Sequence, residues 1–73
     1  MSIEKFLKPD FTPDENTRNE IEKLHQEGKS LIGVQLKKAD MRGAKLVNAD
    51  LKNADLTRAD FSGASMYGVN LEG

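Results

Sequence analysis

The sequence predicts an all-β solenoid of about two coils, preceded by an α-helical cap. Three observations carry this prediction: an apolar period of five through residues 34–73, glycines that recur at the last position of the fives, and helix signals confined to residues 1–30. An α-helix repeats near 3.6 residues and a strand at 2, so neither explains a period of five. We therefore divide the chain into an N-terminal segment, residues 1–30, and a repeat segment, residues 31–73.

The N-terminal segment is predicted to contain one helix over about residues 13–27. Thr12 stands at the N-cap, Pro13 at the first helical position and Glu15 two positions later, which is the spacing of a capping box. Gly28 suits the residue just after a helix. One narrow apolar face can lie on a flat surface, which predicts a capping role; its members are Ile21 and Leu24, with Thr17 and His25.

A short turn before this helix is predicted to bury three apolar side chains and to end at Pro9. These side chains belong to Ile3, Phe6 and Leu7. Proline fixes φ and lacks a backbone N–H, so it interrupts a helical turn.

The repeat segment contains eight consecutive fives that agree at two positions. The first position is always Ala or Val, and the third position is a large apolar residue: Leu36, Met41, Leu46, Leu51, Leu56, Phe61, Met66 and Leu71. Residues two apart in an extended chain share a face, so both positions point inward and the last two residues form a turn. If each turn bends by about a right angle, four fives close one square coil, and coils stack about 4.8 Å apart.

If coils of 20 residues stack, residues 20 apart in the sequence should be of similar kind. Met41 then falls under Phe61, and Leu46 under Met66. Glycine at the fifth position suits a turn residue with positive φ, as in a type II turn; these glycines are Gly43, Gly63, Gly68 and Gly73. Like residues therefore stack on like.

The stretch ADLKNADLTRADF, residues 49–61, resembles the pentapeptide-repeat family, whose pattern is A(D/N)LXX. The resemblance runs without a gap over residues 34–73 and implies a right-handed quadrilateral parallel β-helix. The alternative, an α-helix rich in Ala, Leu and Asp, is opposed by the recurring glycines and by the drift of a five-residue period around a helix. Departures from the pattern are few: Val34, Lys45, Ser65 and Val69.

Composition excludes several classes of function. The chain has no cysteine, one histidine and a net charge of −1, which disfavours metal binding through thiolates and direct nucleic-acid binding. No apolar run approaches the length of a membrane span, and the N-terminus lacks the features of a secretory signal. A cytoplasmic protein without cofactors is the expectation.

The second position of the fives carries the residues that most resemble catalytic groups. Paired carboxylates can perform acid–base chemistry, and this position holds Asp40, Asp50, Asp55 and Asp60. They are flanked by Lys38, Arg42 and Arg58, so a solvated and charge-balanced wall is the favoured interpretation. We therefore do not expect an enzyme.

The C-terminal coil is the predicted interaction surface, because no cap follows it and a solenoid exposes unpaired backbone groups at an open end. The apolar residues left facing outward are Leu56, Phe61, Met66, Val69 and Leu71. Three explanations fit: a fragment of a longer repeat scaffold, a larger partner, or end-to-end self-association as a dimer or filament. We favour self-association.

Two further features bear on partners. Val47 and Tyr67 both occupy the outward fourth position, either as isolated surface residues or as a lateral contact patch. Some members of the family resemble B-form DNA and bind type II topoisomerases such as gyrase. That alternative function requires a long acidic rod, whereas about two coils span roughly 10 Å and residues 31–73 carry six basic and five acidic residues.

Overall fold

The computed structural model describes residues 2–73. A 3₁₀-helix at Glu4–Leu7 and one α-helix, α1, at Thr17–Gln26 are followed by turns and isolated bridges. All the bridges are parallel and join residues 20 apart: Gln35 to Asp55, Asp40 to Asp60, Lys45 to Ser65, and Asp50 to Asn70. Residues 34–53, the lower layer, therefore lie against residues 54–73, the upper layer.

The predicted all-β content does not take the form of regular strands. Among residues 2–73 the extended segments pair through isolated bridges, and no segment forms a strand of two or more consecutive bridges. The physical reason is the repeat itself, because each two-residue turn leaves only three residues of extended chain before the next turn. A segment this short forms one bridge and then changes direction.

Three kinds of backbone hydrogen bond join the two layers. The N–H at the third position of the lower layer donates to a second-position carbonyl above, as from Leu36 to Asp55 at 2.8 Å. The N–H of Asp55 donates back to the Val34 carbonyl at 3.0 Å. The fifth-position N–H of Lys38 donates to the Thr57 carbonyl at 2.8 Å. The same three bonds recur along all four sides of the layers, so the pairing is fixed at an offset of 20.

The turns place the fifth position in the left-handed backbone region. The glycines expected there have positive φ, for example 71° at Gly43. Four residues other than glycine share this conformation: Lys38, Asn48, Asn53 and Arg58, with φ between 60° and 63°. The left-handed region costs most L-residues roughly 1–2 kcal/mol, and Asn tolerates it better than Lys or Arg.

The core is complete in the lower layer and open in the upper layer. The third-position side chains of the lower layer are at most 1% exposed: Leu36, Met41, Leu46 and Leu51. In the upper layer Leu56, Phe61 and Met66 are only half-buried. The upper layer covers the lower layer, and no residue in the range 2–73 covers the upper layer in the same way.

Helix α1 begins four residues later than predicted. The Thr12 hydroxyl donates to the carbonyl of Asp10 at 3.5 Å instead of capping a helix, so the predicted box with Glu15 is wrong. Asp14 and Thr17 form the hydrogen bonds that precede the helix instead. Asp14 donates its N–H to the Thr17 hydroxyl at 2.8 Å, and its carboxylate accepts from the N–H of Asn16 at 2.8 Å.

The apolar face of α1 lies on the lower layer, as its spacing predicts. Ile21 and Leu24 are fully buried and Thr17 is 1% exposed. After the helix, Gly28 has φ of 80° and its N–H donates to the His25 carbonyl. The N–H of Lys29 donates to the Leu24 carbonyl at 3.0 Å. This pair of bonds is a Schellman motif, which ends the helix on the predicted glycine.

The 3₁₀-helix completes the cap through one aromatic anchor. Phe6 is fully buried and contacts Phe11 edge to face, with ring centroids 4.9 Å apart. Ile3 is half-buried, but Leu7 is 41% exposed, which corrects the prediction that it is buried. Lys5 forms an ion pair of 2.6 Å with Glu20 and so ties this turn to α1.

Two methionines at the third position provide a matched test of layer coverage. Met41 is fully buried, so Met41→Ala is expected to lower the free energy of unfolding by about 2–5 kcal/mol. Met66 is half-buried, and Met66→Ala is expected to cost about 1 kcal/mol. Urea denaturation of dilute protein measures both values. Equal losses would contradict the difference in burial between the layers.

Candidate functional site

The N-terminal end of the repeats is closed by groups that replace a missing layer. The second-position N–H of Gln35 donates to the Phe6 carbonyl at 2.7 Å, and that of Lys45 donates to the Glu22 carboxylate at 2.7 Å. In the upper layer the equivalent N–H groups donate to first-position carbonyls of the layer below. A carbonyl and a carboxylate of the cap therefore occupy the places of two such acceptors.

Two side chains of α1 serve the outward carbonyls of the same end. Arg18 Nη1 donates to the Arg42 carbonyl at 3.1 Å, and His25 Nε2 lies 2.8 Å from the Val47 carbonyl. A carbonyl oxygen only accepts, so Nε2 carries the proton in this contact. These side chains stand where fifth-position N–H groups of a lower layer would donate.

The C-terminal end carries a ring of backbone groups without a partner in the described chain. The layer register directs these groups away from the lower layer. The C=O acceptors belong to the first position, Ala54, Ala59, Ala64 and Val69, and the N–H donors belong to the third and fifth positions, Leu56, Phe61, Met66, Leu71, Arg58, Gly63, Gly68 and Gly73. Their lower-layer equivalents are all bonded to the upper layer. The upper layer is therefore an unpaired edge on four sides.

The structure brings the five predicted end residues together at this edge. Leu71 is 55% exposed, and the other four are half-buried: Leu56, Phe61, Met66 and Val69. We call these five side chains and the ring of backbone groups around them the open end face. An apolar centre inside a ring of donors and acceptors can bind another edge of similar shape.

Val47 and Tyr67 lie at one side of the layers, away from the open end face. Val47 is 44% exposed and Tyr67 is 83% exposed. They share one turn column, because the N–H of Asn48 donates to the Tyr67 carbonyl at 2.8 Å. The Val47 backbone is further held by the bond from His25.

The second-position carboxylates close the turns, a role that sequence reasoning missed. Asp55 Oδ1 accepts from the N–H of Thr57 at 3.0 Å, and Asp60 Oδ1 accepts from that of Ser62 at 2.9 Å. Asn70 does the same for Glu72. These are Asx turns. The signal available in the sequence was the recurrence of Asp or Asn at the second position, two residues before the fourth position whose N–H it accepts.

These contacts change the pKa values of three carboxyl groups. The hydrogen bonds from the Arg42 guanidinium and N–H lower the pKa of Asp40 to about 2. The hydroxyl and N–H of Thr57 lower the pKa of Asp55, and those of Ser62 lower the pKa of Asp60. In each case the cause is hydrogen bonding to the charged form, which stabilises the carboxylate.

Within residues 2–73, no group of three or more His, Cys, Asp or Glu side chains is placed to hold a metal ion. The helices in the same range are also too short or too polar to span a membrane.

A repeated five-residue unit, layers paired at a fixed offset and a helical cap define a repeat protein. The family model for pentapeptide repeats matches residues 30–73 in eight copies, more than half of the chain. The chain therefore belongs to the pentapeptide-repeat family, which confirms the resemblance found in the sequence. Pentapeptide repeats generally form a right-handed β-helix and serve structural or interaction roles. No curated protein and no solved structure matches the chain.

The lowered carboxyl pKa values predict loss of stability in acid. A carboxyl group whose pKa in the folded protein lies below its ordinary value of 3.8 stabilises the folded state at any pH above 3.8. This stabilisation is lost as the pH falls toward about 2, the pKa of Asp40 in the folded protein. We expect the thermal midpoint to fall between pH 4 and pH 2. A variant with Asp40, Asp55 and Asp60 changed to Asn keeps the turn acceptors without the charge, so its midpoint should change less over this range. An unchanged acid loss would contradict the assignment.

The capping role of Glu22 is tested by its removal. Glu22→Ala leaves the N–H of Lys45 without its carboxylate acceptor, so we expect a loss of about 1 kcal/mol in the free energy of unfolding. Glu27→Ala is the control, because Glu27 is exposed on the same cap and its side chain makes no hydrogen bond to the described residues. Chemical denaturation compares the two, and equal effects would argue against a specific cap.

Proposed function

We propose that this protein is a non-enzymatic structural or protein-interaction module that self-associates through its open end face. The observation that carries the proposal is the coincidence, on one surface, of exposed core side chains and unpaired backbone groups. Leu71 is 55% exposed although its lower-layer equivalent, Leu51, is 1% exposed. A surface that resembles a core cut open favours association with a matching surface.

We infer that the two layers are successive coils of a right-handed quadrilateral β-helix. The support is the set of four parallel bridges at one common offset, together with the family's usual fold. The handedness rests on the family alone. The absence of cysteine is compatible with a reducing compartment, and we propose a cytoplasmic location.

A second copy fits the open end face because the ring of backbone groups is self-complementary. On each side a first-position C=O and a third-position N–H flank the second residue, as Ala59 and Phe61 flank Asp60. When two such edges meet in antiparallel orientation, each N–H faces the partner's C=O, which is the widely spaced pair of an antiparallel ladder. A two-fold axis produces this orientation, and two-fold dimers are the commonest closed assemblies.

The cap favours a closed dimer over a filament. Head-to-tail stacking would need a free lower edge, but Phe6, Glu22, Arg18 and His25 already bond to that edge. The molecule has principal extents of 28 × 24 × 23 Å, so two apposed end faces would bury roughly 1,000 Å². This area is near the lower bound for a specific interface, so we expect a dissociable dimer.

The sequence also allows three alternatives to self-association: a longer repeat scaffold, a type II topoisomerase and a larger protein partner. In a longer repeat scaffold, a further coil would cover the open end face. Binding to a type II topoisomerase by DNA mimicry has no specific support, because the repeat segment has no acidic excess and carries exposed cations such as Lys37 and Arg58. A larger protein partner would compete with the second copy.

The proposal is tested by sedimentation velocity over a range of protein concentrations. The wild-type chain of 8.1 kDa is expected to pass from monomer to dimer in the micromolar range. Leu71→Asp and Met66→Asp should remain monomeric and folded by circular dichroism, because a buried unpaired charge opposes association. Ile32→Asp is the matched control, since Ile32 is 43% exposed but lies outside the open end face.

A folded wild-type monomer at several hundred micromolar would overturn self-association. Higher polymers that persist in the Leu71→Asp variant would show that another surface is used. Tyr67→Ser tests the lateral patch separately: an unchanged dimer would assign Val47 and Tyr67 to the ordinary exposed surface.

A further inference from the structure

One turn column differs from the other three in both backbone strain and charge. It consists of Lys37 and Lys38 in the lower layer and of Thr57 and Arg58 above them, and we call it the basic column. The N–H of Lys38 donates to the Thr57 carbonyl at 2.8 Å, which stacks the two turns. All four side chains are exposed and border one shallow surface depression.

The strain is specific to this column. Every other fifth-position residue in the repeat segment is one that adopts the left-handed region readily: Gly33, Gly43, Asn48, Asn53, Gly63, Gly68 and Gly73. Lys38 and Arg58 adopt φ of 63° and 60° without that advantage. Both side chains are exposed, so core packing does not account for the choice. Strained residues of this kind concentrate at functional sites.

The basic column also places like charges in adjacent layers. Lys38 and Arg58 occupy equivalent turns, whose backbones lie about 4.8 Å apart along the stack. The hydrogen bonds from Thr57 lower the pKa of Asp55 most, and Lys37, which lies near that carboxyl group, lowers its pKa further. In the described range none of these three cations forms an ion pair with a carboxylate. The nearest second-position carboxylates are used locally: Asp55 accepts the Thr57 hydroxyl at 2.6 Å, and Asp60 accepts the Ser62 hydroxyl.

The basic column combines two kinds of cation. A guanidinium from Arg58 and two ammonium groups from Lys37 and Lys38 border the same depression. A guanidinium presents a planar fork of donors that matches phosphate oxygens, and lysines supply compact positive charge beside it.

We propose that the basic column is a binding site for small anions that carry phosphate groups. The anion would be held by Lys38 and Arg58, with Lys37 contributing charge at the side. The ligand would relieve the repulsion between the stacked cations, which explains why residues that strain the backbone occupy these two turns. The side chains of this site are not among the five of the open end face, so the proposal does not rest on self-association.

The test is calorimetric titration of the wild-type protein with sodium tripolyphosphate at 150 mM NaCl. Saturable binding with one site per chain is expected, together with a higher thermal midpoint in the presence of the anion. Lys38→Asn and Arg58→Asn should each weaken binding at least tenfold. The same variants should raise the thermal midpoint of the free protein, because Asn adopts positive φ more readily.

Lys52→Asn is the matched control, because Lys52 is an exposed lysine in a different turn column. It should leave tripolyphosphate affinity within twofold of wild type. Absence of binding at 5 mM, or equal weakening by Lys52→Asn, would overturn the site. A hexaglutamate peptide that binds as tightly as tripolyphosphate would overturn the assignment to phosphate and show general attraction of anions.

Discussion

The backbone pairing between layers is the constraint on which the rest of the structure depends. Each layer directs one set of N–H and C=O groups to the layer below and another to the layer above. Buried or crowded backbone groups left without partners are costly, so every layer needs a neighbour or a substitute on both sides. The offset of 20 follows from this pairing, and it stacks Met41 under Phe61 and Leu46 under Met66.

The cap shows what a substitute for a layer requires. Phe6 and Glu22 provide acceptors, while Arg18 and His25 provide donors, at positions set by the first layer. Ile21 and Leu24, with the Phe6 ring, cover the apolar centre in place of a layer. Among the described residues nothing covers the open end face in either way, and this asymmetry is the basis of the proposed closed dimer.

The repeat leaves little freedom outside the turns. First and third positions fill the core, and second positions such as Asp55 and Asp60 close the turns by accepting N–H groups. Variation is therefore concentrated at the fourth and fifth positions, which form the exposed columns. The column at Lys38 and Arg58 departs from Gly and Asn, and it places charged side chains on backbone in the left-handed region.

The sequence alone determined the repeat period, the stacking partners, the apolar face of α1 and the family, because each depends on spacing that repeats along the chain. It did not decide where α1 begins, since Thr12 with Glu15 is as good a local capping signal as Asp14 with Thr17. Burial of Thr17 beside the lower layer selects the second. The bond from His25 to the Val47 carbonyl joins residues 22 apart. Only the tertiary structure brings such groups together, because their contact depends on how the cap lies on the repeats.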